Sequence, residues 1–191
     1  LSGLKECRRQ NKGISGFCPD DLQDKNLKSL YFGGGPPSIL KVDELKSIID
    51  EVLTYFSFNE DIEITLEANP DDLDHAFLKV LSQTEINRLS IGTQSFFNED
   101  LMLMNRAHNA GEAESSIKRA QDFGFENISI DLIYGSPTSN FEIWKENLNK
   151  TIELQVPHVS SYALTVEPKT ALNQWIKQNK IAAPKEAEQN R

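Results

Sequence analysis

Short apolar runs and stretches of helical spacing alternate along this chain, and that alternation restricts its fold more than any other feature. Runs of strand character fall at Leu27–Phe32, Asp61–Glu67, Arg88–Ile91, Asn127–Tyr134 and Val159–Leu164. Helical spacing follows at Val42–Phe56, Leu73–Leu81, Glu99–Met104, Ala113–Phe123, Phe141–Leu154 and Ala171–Gln178. In the first of these, Val42, Leu45, Ile48, Ile49, Val52 and Leu53 share one stripe. Asp43 and Glu44 suit its first turn, where the helix dipole favours negative charge. Five strand–helix alternations predict an α/β fold with a parallel sheet and right-handed crossovers. Leu1–Arg9 also has helical spacing, Asn11–Asn26 reads as a loop, and Ala182–Arg191 is a polar tail.

Ligands of parallel α/β sheets bind at the carboxyl ends of the strands, so the residues there carry the functional argument. The first run stops at Gly33-Gly34-Gly35, followed by Pro36-Pro37-Ser38. Glycines at that point let a ligand approach the backbone and meet several N–H groups; a tight βα turn is the plainer reading. The second run ends in Glu67, with Asn69 in the turn that follows, and the third is followed by Gln94. The fourth carries Asp131 between Ile130 and Leu132, where a carboxylate is costly unless it is paired or bound. The fifth carries Ser160, Ser161 and Tyr162, with Glu167 beyond. Arg106, in Asn105–Asn109, supplies a guanidinium suited to a ligand carboxylate, while Glu67 or Asp131 suits an ammonium group or ribose hydroxyls. Each residue alone also has a structural reading. Arg106 fits a helix C-terminal cation and Gln94 a loop cap, while His108 fits either a base or a structural residue. Their convergence on one edge predicts a real ligand site. His75 and His158 show no companions in the sequence.

Composition narrows the classes. A chain of 191 residues predicts one domain, with room for a small appendage. The net charge of −9 and the absence of a Lys/Arg block argue against a nucleic-acid surface and against docking to an anionic membrane. No apolar stretch approaches the roughly 18–20 residues of a membrane span, and no signal peptide is expected. Cys7 and Cys18 are too few and too far apart for a zinc or iron–sulfur site, and read as free thiols in a reducing cytoplasm.

Six segments in order resemble the radical S-adenosylmethionine proteins related to oxygen-independent coproporphyrinogen III oxidase, and in particular the branch regarded as haem chaperones. They are Tyr31–Ser38, Ile64–Pro70, Arg88–Phe96, Asn105–Asn109, Ile128–Pro137 and Ser160–Pro168. The resemblance implies a partial (β/α)6 barrel, open on one side, with S-adenosylmethionine at the carboxyl rim. It implies that Gly34 and Gly35 approach the methionine part of that cofactor. Glu67, Gln94, Arg106 and Asp131 would bind its polar groups, and Ala163 would lie near the adenine. Residues 1–170 would form the core, with 171–191 beginning a linker. The parent would hold a [4Fe–4S] cluster and handle porphyrin or haem.

Three departures qualify this. The family's cluster loop, Cys-x3-Cys-x2-Cys after the first strand, is not in this sequence, so that strand and loop are expected before Leu1. Pro36 stands where the family usually has Thr, and the expected carboxyl-terminal domain does not follow. The chain is thus expected to be inactive by itself, as the core of an oxidase-like protein. The alternative is a haem carrier handing haem to acceptor proteins, with His108, Tyr162 or Cys18 as axial ligand. An ordinary (β/α)8 enzyme with a phosphorylated substrate fits less well, since five strands are too few and acidic strand ends suit phosphate poorly.

Overall fold

A computed structural model describes residues 25–35 and 37–184. The expected helix at Leu1–Arg9, nearly all of the loop after it, both cysteines, Pro36 and the end of the polar tail lie outside the described residues. Five strands form one parallel sheet: β1 (Asn26–Phe32), β2 (Ser57–Ala68), β3 (Arg88–Gln94), β4 (Asn127–Tyr134) and β5 (His158–Ala163). Helix α1 (Val42–Leu53) joins the first pair, and α2 (His75–Leu81) the second. Between β3 and β4 lie α3 (Asn98–Leu103) and α4 (Ala110–Asp122). Helix α5 (Phe141–Glu153) leads to β5, and α6 (Ala171–Lys177) follows it.

Strand order follows chain order, β1-β2-β3-β4-β5. The sheet is wound in one sense, whereas a doubly wound sheet reverses its order partway. The product is a curled half-barrel, as the sequence leads one to expect.

Alternation along the strands divides the sheet into two unlike faces. On the helix side, Leu66, Leu89 and Ile128 are in register and fully buried, packed with Leu45, Ile49, Leu78, Leu81 and Ile117. On the concave side the corresponding row reads Glu67, Ser90, Ser129 and His158. A closed barrel fills that face with Val, Ile and Leu; here it is polar. The core therefore lies between sheet and helices, and the concave face is free for polar work. At its amino-terminal end Arg88 donates to Glu63 at 2.8 Å, which holds the Glu63 carboxyl below its ordinary range. Truncating the centre of the core, Leu66→Ala, is expected to cost about 2–5 kcal/mol from lost transfer energy and the cavity left behind. The shift of the denaturant midpoint measures it.

Of the boundaries that differ from the sequence reading, three have a clear local reason. The segment Gly92-Thr93-Gln94 reads as a stop, yet β3 continues through it. A register shift between Ile91 and Gln94 absorbs the irregularity, and Gln94 still pairs with Leu132. Helix α4 begins at Ala110 because Asn109 and Glu112 form a reciprocal capping box. Helix α2 begins at His75, after a 3-10 turn at Pro70–Asp72, and Asp74 caps it by accepting from Phe77 N at 2.7 Å. Among the described residues, no helix is long and apolar enough to cross a membrane.

Candidate functional site

The carboxyl ends of the strands converge on a cavity of about 250 Å³. Gly35, Glu67, Gln94, Arg106 and Asp131 all line it. These come from four strand ends and the loop after α3, so the sheet edge brings together residues far apart in the chain.

The glycine loop is fastened to β2. Glu67 Oε1 accepts from the Tyr31 hydroxyl at 2.7 Å, and Oε2 accepts from Gly34 N–H at 3.2 Å. Gly34 and Gly35 have φ of +88° and +141°, conformations that a side chain rarely adopts. A Cβ on Gly33 would lie 2.6 Å from the Tyr31 ring and 2.8 Å from Glu67 Oε1. The space for a side chain at Gly33 is thus taken by the Tyr31–Glu67 pair. Burial, then the bond to Glu67, pushes the Tyr31 phenol up.

Gln94 is buried and non-glycine with φ +66°. Ser95 N–H donates to the Thr93 carbonyl at 2.8 Å, closing a γ-turn about Gln94. That turn is strained for an L-residue and persists only where the surroundings over-determine it.

Arg106 follows Asn105, which has φ +53°, and its N–H donates to the Leu101 carbonyl at 2.9 Å. Burial pushes the half-buried guanidinium down, against the charges of Asp131 and Asp71. Arginine remains charged in any case. Asp131 is pushed up, first by burial and then by the charge of Glu67. Its bond with Ser160, the β5 residue paired with it, acts in the opposite direction, as do the charges of Arg106 and His158.

Of the remaining candidates, Ala163 closes β5 opposite Tyr134 and is not among the residues lining the cavity. His108 is 4% exposed, with Nε2 3.1 Å from the Thr93 carbonyl and Nδ1 3.8 Å from Asp71. Of its two readings, the geometry takes the structural one. His75 and His158 do have companions, contrary to the sequence reading. His75 meets Phe123 edge to face, and His158 Nδ1 lies 2.7 Å from Ser129 Oγ.

Sequence reasoning passed over Ser90 and Gly92, which also line the cavity, and Tyr31. Strand alternation was the available signal, since it places Tyr31 on the face opposite Leu30 and Phe32.

The charged residues lining the cavity are Glu67, Asp131 and Arg106, so the site carries one net negative charge. It can hold a zwitterion with one extra positive charge: a guanidinium for the carboxylate, carboxylates for the cationic groups, and backbone N–H groups with a side-chain amide for the rest. The doubled carboxylates disfavour a phosphate.

Residues 20–151 match the model of the radical SAM superfamily. The chain is 37% identical over 151 residues to "Heme chaperone HemW" of Haemophilus influenzae, covering 79% of this chain and 39% of that protein. It is 36% identical over 160 residues to the protein of that name in Bacillus subtilis, covering 83% and 42%. The chain thus spans about two fifths of the length of these curated relatives. The structure of coproporphyrinogen III oxidase (HemN) from Escherichia coli superposes with a TM-score of 0.72 at 29% identity, over 83% of this chain and 37% of that one.

Proposed function

The chain belongs to the radical SAM superfamily, and on that premise we propose that the cavity at the rim of its sheet binds S-adenosylmethionine in the service of porphyrin or haem metabolism. The observation that carries this reading is the charge pattern. S-adenosylmethionine has a sulfonium, an ammonium and a carboxylate, one net positive charge against the one negative charge of the cavity. Two built features agree with a ligand held close to the backbone: the glycine loop fastened by Glu67, and the strained turn at Gln94. The donor set fits the cofactor.

In this reading Arg106 takes the methionyl carboxylate, and Gly34 and Gly35 let the methionyl end approach the main chain. Glu67 and Asp131 take the ammonium group and the ribose hydroxyls, Gln94 adds an amide, and Ala163 lies towards the adenine. Both Glu67 oxygens already accept one hydrogen bond, so Glu67 orders the loop as well as meeting the ligand. Within the superfamily the cofactor and a [4Fe–4S] cluster together supply radical chemistry. The residues of this chain bind and orient the cofactor and shield it from water.

Titration calorimetry tests the reading. S-adenosylmethionine is expected to bind this chain at one saturable site, and Arg106→Ala to weaken it about tenfold or more through loss of a charge-assisted hydrogen bond. No saturable binding by the wild type, or equal binding by the variant, overturns it.

For the full-length protein there are two readings, a porphyrinogen oxidase and a haem carrier. The relatives of 36–37% identity are named haem chaperones, and this favours the carrier. Of the axial ligands considered, His108 is buried and engaged, while Tyr162 is exposed on the edge strand. Haem titration of the full-length protein beside an assay of porphyrinogen decarboxylation separates the two.

A further inference from the structure

From a buried hydrogen-bond network behind the rim, we infer that Asp100, which does not line the cavity, is a positioning residue for Gln94 and Arg106. The inference rests on the proposed cofactor site. Asp100 is 2% exposed, on α3, the short helix that separates Gln94 from Arg106. Its carboxylate joins two loops: Oδ2 accepts from Ser95 Oγ at 2.9 Å, and Oδ1 from Thr138 Oγ1 at 2.5 Å. Ser95 is also the acceptor for Phe97 N–H at 3.1 Å. Asn147 of α5 accepts from Phe96 N–H at 2.7 Å, which ties the same loop to the next helix.

These bonds explain how Gln94 holds a γ-turn that its backbone disfavours. On its carboxyl side, Ser95 and Phe96 are held by Asp100 and Asn147. On its amino side, the Thr93 carbonyl is held by His108 Nε2. Strain survives where both flanks are pinned by buried partners. Helix α3 transmits the same anchor to Arg106, whose N–H bonds to the Leu101 carbonyl one residue after Asp100. With Leu101 and Leu103 buried, the helix has little room to shift.

A double-mutant cycle tests this, with S-adenosylmethionine as the probe. Asp100→Asn keeps the shape but leaves one of the two hydroxyls without its acceptor. It is expected to weaken binding about tenfold, as displacement of a positioned group does. If Asp100 acts through Gln94 and Arg106, the same substitution costs clearly less than tenfold in a Gln94→Ala or an Arg106→Ala background, because groups coupled through one network do not add. An undiminished effect in both backgrounds overturns the inference. So does a lowered melting temperature with unchanged affinity. Thr138→Val, which removes the hydroxyl's bonds to Asp100 and to Ser136 Oγ and no charge, carries the same test if Asp100→Asn does not fold. The NMR signals of the Gln94 side-chain amide in ligand-free protein supply a second readout. They shift in Asp100→Asn if the network positions Gln94, and stay in place if it does not. If the wild type binds no S-adenosylmethionine, the cofactor reading falls, and these signals still decide the positioning role.

Discussion

Asp131→Asn leaves the ligand-free protein at least as stable as the wild type at neutral pH and weakens S-adenosylmethionine binding by about tenfold or more. Both halves have one cause. Asp131 sits half-buried in a central strand, and burial and the neighbouring Glu67 both penalise its ionised form. A carboxyl whose folded pKa is raised carries a cost that is full above that pKa and gone below the unfolded value. The wild type therefore gains stability relative to Asp131→Asn as pH falls from neutral towards the ordinary carboxylate range. Glu63 and Glu114, whose carboxyls are held low by Arg88 and by Lys118 and Lys150, impose the opposite slope. They do so equally in both proteins, so the difference isolates Asp131. Binding of a cation moves the other way, since it needs the ionised form and weakens as pH falls. Thermal melts of both proteins across this pH range, with calorimetric titration at each pH, measure the two together. A variant that melts well below the wild type at neutral pH and still binds normally would show Asp131 to be structural.

Gly33→Ala separates site from scaffold even more sharply. The added Cβ meets the Tyr31 ring and the Glu67 carboxylate at under 3 Å. Both are ends of side chains, and Tyr31 is exposed, so the fold yields at a cost of about 1 kcal/mol or less, as surface substitutions do. What yields is the pair that fastens the glycine loop. Moving Glu67 breaks its bonds to Tyr31 and Gly34 and misplaces a ligand carboxylate, which is expected to cost about a hundredfold in affinity. Adding Tyr31→Ala to Gly33→Ala removes the nearer clash and is expected to restore part of that loss. Melting temperature and S-adenosylmethionine affinity, measured on the single and double variants, give the comparison. A large loss of stability with Gly33→Ala, or unaltered binding, contradicts the role assigned to this corner.

The fold was open to a reading of periodicity because its elements are strongly patterned. Leu66, Leu89 and Ile128 lie in runs whose apolar positions declare a buried face, and the stripe from Val42 to Leu53 declares a helix packed on it. Where the reading slipped, a non-local bond or an irregular backbone was responsible. A glycine followed by two polar residues, as at Gly92–Gln94, reads as the end of a strand. Here a bulge paired to β4 carries β3 onward, and nothing within the triplet announces it. The candidate site was legible in the same measure. Glu67 and Gln94 stand at or next to strand ends and Asp131 stands within the last half of β4, and parallel topology sends those ends to one rim.

The chain order of apolar and polar residues therefore determined the alternation, the parallel sheet and the list of groups presented at its edge. Those follow from spacing of two and of about 3.6 residues, which acts over a few neighbours. Tertiary structure alone decided how the groups are used. Tyr31 reaches Glu67 across 36 positions and Phe96 reaches Asn147 across 51. Whether a carboxylate is paired, buried or crowded by its like depends on distances through space, which local spacing does not encode.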